Sequence, residues 1–165
     1  MSRRWLDDSA STMLKIASSS LPMEQIEYVF VYGTLRRDAA TPMSYLLAQH
    51  CSHFADGYMQ GRLYRVGEYP GAIESDKPKD RVYGEVYRLV NPCLILPELD
   101  NYEECTDKFP EPHEYIRKKL PITLLDGACI TAWVYVYNHS VSNLMRIKFG
   151  DYLHAVSPSK ELSIG

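Results

Sequence analysis

The chain predicts an α+β domain whose sheet is mostly antiparallel and closes towards a barrel. Three observations carry this. The segments run strand, helix, several strands, helix and hairpin; the longer strand segments hold internal glycines that let a sheet bend; and Asp126-Gly127 separates two alternating apolar runs.

Residues 1–25 are rich in serine and charge, with one short apolar cluster at Met13, Leu14 and Ile16, and read as a flexible extension. The domain is expected over residues 26–155, followed by a tail over 156–165. It opens on Tyr28-Val29-Phe30-Val31-Tyr32, an aromatic and β-branched run that predicts a strand buried on both faces. Gly33 ends the run, where bare backbone can turn sharply and approach a ligand. Thr34, Leu35 and Arg36 then offer successive N–H groups, a hydroxyl and a cation, which suits an anion or a polarised carbonyl.

Thr41-Pro42 supplies an N-cap and a first-turn proline, and Met43, Leu46, Leu47 and His50 recur at helical spacing, so Pro42 to Cys51 predicts an amphipathic helix. Strand segments follow at 57–60 and 61–66, divided by Gly61, where a bend or bulge is expected. Glu68-Tyr69-Pro70-Gly71 reads as a turn leading into Ala72-Ile73-Glu74, and Arg81 to Val90 as a long strand with close backbone approach at Gly84. Asn91-Pro92 opens a second helix with Leu96, Leu99 and Tyr102 on one face and Glu103 at its end. An irregular loop, Cys105 to Glu114, precedes the hairpin of Tyr115–Leu125 and Ala128–Tyr137. A two-residue loop there would set Ile122 opposite Thr131 and Leu120 opposite Trp133, and a slip of one residue would exchange the faces. Gly150 to Leu153 reads as a packed turn.

A net charge of −3 and an isoelectric point near 5.9 argue against nucleic-acid and anionic-membrane partners. The four cysteines share no C-x-x-C spacing, so neither a structural zinc nor a disulfide framework is expected, and reduced thiols point to the cytoplasm. The chain lacks a Walker loop, a G-x-S-x-G elbow and an H-E-x-x-H helix. With covalent and metal chemistry unsupported, acid–base work by a carboxylate is left. Glu85, Glu98, Asp100, Glu103 and Glu104 are available. Glu103 stands apart because it follows the helical stripe, where tyrosine and leucine neighbours would raise its pKa towards that of a neutral-pH base.

Seven short motifs occur in one order: Val31-Tyr32-Gly33-Thr34-Leu35, Gly61-x-Leu63-Tyr64, Tyr69-Pro70-Gly71, Tyr83-Gly84-Glu85-Val86-Tyr87, Leu99-Asp100-x-Tyr102-Glu103, Tyr115-x-Arg117 and Ala132-Trp133-x-Tyr135. Over about Tyr28 to Tyr137 the chain thereby resembles the gamma-glutamylcyclotransferase-like family, which includes AIG2-like proteins and gamma-glutamylamine cyclotransferases. The resemblance implies a small mixed β-barrel flanked by helices, no cofactor, and a small-molecule gamma-glutamyl substrate held at Tyr32, Gly33, Thr34 and Leu35. It implies Glu103 as the acid–base catalyst, with Arg36, Tyr115 and Arg117 as further candidates for substrate contact or, for the last two, for packing of the sheet. The reaction would release 5-oxoproline as the substrate's own α-amine attacks its side-chain carbonyl. A binding module without catalysis, or a lactam-forming enzyme acting on another amide, would use the same site. One departure stands out: relatives commonly carry glycine after the motif glutamate, and this chain has Glu104.

Overall fold

A computed structural model describes residues 26–33 and 42–152. The expected extension over 1–25, the turn residues Thr34, Leu35 and Arg36, the cap at Thr41 and the tail over 156–165 lie outside the described residues. The elements are β1 (Tyr28–Val31), α1 (Pro42–His50), β2 (Cys51–Val66), β3 (Tyr69–Glu74), β4 (Arg81–Leu89), α2 (Pro92–Tyr102), β5 (Tyr115–Leu124), β6 (Cys129–Tyr137) and β7 (Met145–Ile147).

Five strands close a mixed barrel. Antiparallel pairings run β2–β4, β4–β1 and β6–β5, β1 and β6 pair in parallel, and β5 returns to β2 to complete the circuit. Closure brings the β5 backbone so near β2 that a Cβ at Gly57 would lie 2.5 Å from the Thr123 carbonyl oxygen. The sixteen-residue β2 outruns the barrel, and its second half pairs with β3 and with β7.

Strand alternation sorts the side chains into two layers. Phe30, Leu63, Val82, Val86, Ile122 and Val134 fill the barrel interior. Val29, Val31, Tyr87 and Leu89 face outward and are covered by Leu47 of α1 and by Ile95, Leu96 and Leu99 of α2. Burying each of these aliphatic side chains contributes roughly 1.5–3 kcal/mol. Helix α2 is thus held on the barrel by the stripe its spacing predicts, and β1 is buried on both faces.

Three local expectations change. The turn falls two residues early, at Gly67 and Glu68: Val66 pairs with Tyr69, and Gly67 takes φ +59° at the first turn position, so Pro70-Gly71 belongs to β3. The irregularity in β2 lies between His53 and Ala55, while Gly61 runs within a continuous strand. The β5–β6 hairpin has a three-residue loop, Leu125 to Gly127, with Gly127 at φ +94°. Gly127 donates to the Leu124 carbonyl and Leu124 to that of Ala128. The glycine takes the left-handed position that ends such a loop, and the extra residue moves the register by one. Ile122 therefore faces Ile130 and Leu120 faces Ala132. No helix among the described residues is long and apolar enough to cross a membrane.

Candidate active site

The last turn of α2 sets the geometry. Glu103 caps the helix, donating its N–H to the Leu99 carbonyl. Glu104 donates to Asn101 and Cys105 to Asp100, the paired bonds that satisfy orphan carbonyls when the residue after the cap is left-handed. Glu104 is that residue, at φ +56°. Glycine adopts this conformation without cost, which gives the departure noted above a physical meaning.

The same end is tied to the barrel through its side chains. Arg117 of β5 donates through Nε and Nη2 to the two carboxylate oxygens of Asp100, at 2.8 and 3.2 Å, and its guanidinium lies 4.2 Å over the Trp133 ring. Tyr135 of β6 adds a hydroxyl bond to Asp100 Oδ1 at 2.6 Å. A two-point Arg–carboxylate fork fixes direction as well as distance.

These constraints leave Glu103 on the wall of a cavity of about 170 Å³. Tyr32 and Gly33 from the end of β1, Pro70 from β3, and Glu104, Glu114 and Tyr115 line it as well. Gly33 is held by proximity, since a Cβ there would stand 2.7 Å from Pro70 Cγ. The tyrosines brace the walls. The Tyr32 hydroxyl accepts from the Ala72 N–H at 3.2 Å and donates to the Tyr135 carbonyl, while Tyr115 donates to the Pro70 carbonyl at 2.7 Å. The end of β1 and strands β3, β5 and β6 are thereby pinned together.

Burial pushes the Glu103 carboxyl up to about 7, with the charges of Glu104 and then Glu114 adding to it. Burial also lifts Tyr32 and Tyr115 well above the ordinary phenol range, so both keep their protons as donors. Glu103 is the lining group with its raised pKa near neutrality. The wall offers a carboxylate able to take and return a proton in a cavity that Gly33 also lines.

The structure brings Tyr32, Gly33, Glu103 and Tyr115 to one cavity. Arg117 is engaged by Asp100 and Trp133 and is not among the lining residues. Thr34, Leu35 and Arg36 are outside the described residues. Pro70 and Tyr135 belong to motifs visible in the sequence, but only the sheet pairing puts them at the cavity. Glu114 carries no local signal beyond its place next to the first residue of β5.

A mixed five-stranded barrel with a glutamate and a glycine turn on one cavity defines a recognisable class. The family model for gamma-glutamyl cyclotransferase, AIG2-like, matches residues 29–154, and the chain belongs to that family. It is 35% identical over 126 residues to the gamma-glutamylcyclotransferase family protein YtfP of Escherichia coli K12, covering 76% of this chain and 95% of that protein. Among solved structures, ytfP of E. coli superposes with a TM-score of 0.52 at 30% identity, over 79% of this chain and 99% of that one. An AIG2-like protein of Mus musculus superposes with a TM-score of 0.60 at 23% identity, over 77% and 88%, a likeness of fold.

Proposed function

We propose that the protein is a gamma-glutamylcyclotransferase that releases 5-oxoproline from a gamma-glutamyl amine, amino acid or peptide, with Glu103 as the general acid and base. The observation that carries this reading is that Glu103, Tyr32 and Gly33 line one small cavity. Family membership supports the reaction class.

The substrate supplies its own nucleophile. Its α-amine, once deprotonated, attacks the side-chain carbonyl carbon to form the lactam C–N bond. The tetrahedral intermediate then collapses, breaking the C–N bond to the leaving amine. Closing a five-membered ring on one molecule gives the proximity advantage that other acyl transfers obtain from an enzyme nucleophile. Glu103 takes one proton from the ammonium and gives it to the departing nitrogen. The second proton, which the attacking nitrogen sheds as the lactam forms, passes through the same carboxylate to the product amine, which leaves as an ammonium. Glu103 thus ends as the carboxylate. A carboxyl near 7 suits both halves of that exchange. Backbone N–H groups from Gly33 to Leu35 hold the oxyanion or the substrate carboxylate, and Arg36 assists there. Tyr115 shapes the wall. In this scheme Arg117 acts through Asp100, fixing the helix end that carries Glu103, and does not touch the substrate.

A cavity of about 170 Å³ is below the roughly 300–1,000 Å³ of drug-sized sites, which suits a glutamyl group with its amine substituent reaching outward. The test is to offer purified protein a panel of gamma-glutamyl amines, amino acids and dipeptides and to follow 5-oxoproline by mass spectrometry. Turnover of at least one member is expected. Ligand-induced thermal stabilisation without consumption of any member would instead indicate a binding module.

A further inference from the structure

On a different part of the barrel, β2, β4 and β7 enclose a second pocket of about 110 Å³. Arg62, Lys79, Arg81, Arg146 and Lys148 line it, and none of its described lining residues is acidic. Five of the chain's 18 basic residues therefore converge on one pocket in a molecule whose net charge is −3. Composition does not produce such a concentration; the strand pairing does. Leu63 faces Ile147 and Tyr64 faces Arg146, which carries Arg146 and Lys148 to the edge where Arg62 emerges. The loop after β7 is fixed against β4 by the Tyr83 N–H, which donates to the Gly150 carbonyl at 2.8 Å.

The two central guanidiniums are held in place. Buried Asp80 accepts from Arg62 Nε at 2.8 Å and from Arg146 Nη2 at 3.0 Å, and Ser75 Oγ donates to the same carboxylate at 2.6 Å. Each guanidinium has five N–H donors, so this anchoring leaves donors over on both. Arg81 is steadied by the Tyr58 ring, 4.3 Å from its Cζ. Lys79 and Lys148 are exposed and complete the rim. Asp80 engages two of the five cations that line the pocket, and a multiply charged anion would relieve the mutual repulsion among them. Forked donors and compact ammonium groups together match the several oxygens and double charge of a phosphoryl group better than a single carboxylate.

We infer that this pocket is a binding site for a phosphate-bearing small anion, separate from the cavity that holds Glu103. The site needs nothing from the cyclotransferase reading, because its residues and the Glu103 cavity residues do not overlap.

The test is calorimetric titration with pyrophosphate at constant ionic strength, using wild type, Glu103→Gln and the double variant Lys79→Ala/Lys148→Ala. Both lysines are exposed, so the double variant retains the fold, and circular dichroism checks it. Saturable binding is expected for wild type and Glu103→Gln, with affinity about tenfold weaker or worse in the double variant. Citrate of comparable charge is expected to bind more weakly than pyrophosphate. Absence of saturable binding to wild type, unchanged affinity in the double variant, loss of binding in Glu103→Gln, or citrate binding as tight as pyrophosphate would each overturn the inference.

Discussion

Arg117 grips both carboxylate oxygens of Asp100, three residues before Glu103, and so ties the end of α2 to the wall of the barrel. Both side chains are largely but not fully buried, at 24% and 20% exposure, which places the pair between a surface contact and a core ion pair. Arg117→Met leaves Asp100 with Tyr135 alone and is expected to cost about 1–3 kcal/mol in stability. It should also lower kcat more than it raises KM, because Glu103 loses its direction. Arg117→Lys restores the charge but not the fork and should recover little of the rate. Chemical denaturation and steady-state kinetics on the two variants check this.

Glu103 imposes a stability cost whose sign follows from its titration. Its carboxyl rises from an ordinary 4.5 to about 7 on folding, so between those values the folded chain holds a proton that the unfolded chain has lost. Stability therefore falls as pH rises from 4.5 to 7, and the full penalty, on the order of 3 kcal/mol, applies above 7. Glu103→Gln should be the more stable protein at pH 8 and nearly equal to wild type at pH 4. Melting temperatures across that range decide it. A stabilised but inactive variant is the pattern expected where a site is held at the expense of the fold.

Glu104 occupies a left-handed position and repels Glu103. Glu104→Gly removes a conformational cost of about 1–2 kcal/mol, less the extra entropy that glycine loses on folding, for a net gain of roughly 0.5–1 kcal/mol. It also removes the like charge that raises Glu103 more, so the acid limb of the pH–rate profile should move to lower pH. Glu104→Gln separates the two effects: it shifts the limb but leaves the strain.

Gly33 has no room for a side chain. With Pro70 Cγ 2.7 Å from where a Cβ would sit, Gly33→Ala must push the end of β1 and the start of β3 apart. A cost of about 1–3 kcal/mol and a rise in KM are expected. Denaturation and kinetics read both.

Much of this architecture was legible in local pattern. The β1 run, the stripe of Leu96, Leu99 and Tyr102, and the glutamate closing that helix are properties of neighbours in the chain, and periodicity reports them. What escaped depended on one local backbone choice and on partners distant in sequence. The hairpin register turned on whether Leu125 belonged to the strand or to the loop, a choice fixed when Gly127 takes a left-handed conformation. The short β7 carries little pattern of its own and exists by pairing with the overhanging half of β2. Arg117 stayed open between substrate contact and packing of the sheet because the sequence does not show that β5 passes beside α2, where Arg117 pairs with Asp100. The meeting of Gly33 and Glu103, seventy residues apart, rested on the resemblance and on the closure that carries β1 and α2 to one side of the barrel.

The rate of 5-oxoproline release by wild type and by Glu103→Gln, measured from pH 5 to 9 on the best gamma-glutamyl substrate of the panel, distinguishes a glutamate that moves the proton from one that only lines the wall. Wild-type kcat/KM is expected to rise through a pKa near 7, and the variant to lose about 10²–10⁴-fold and that limb with it. A variant as active as wild type, with the same pH profile, would contradict the assignment of Glu103 as the group that moves the proton.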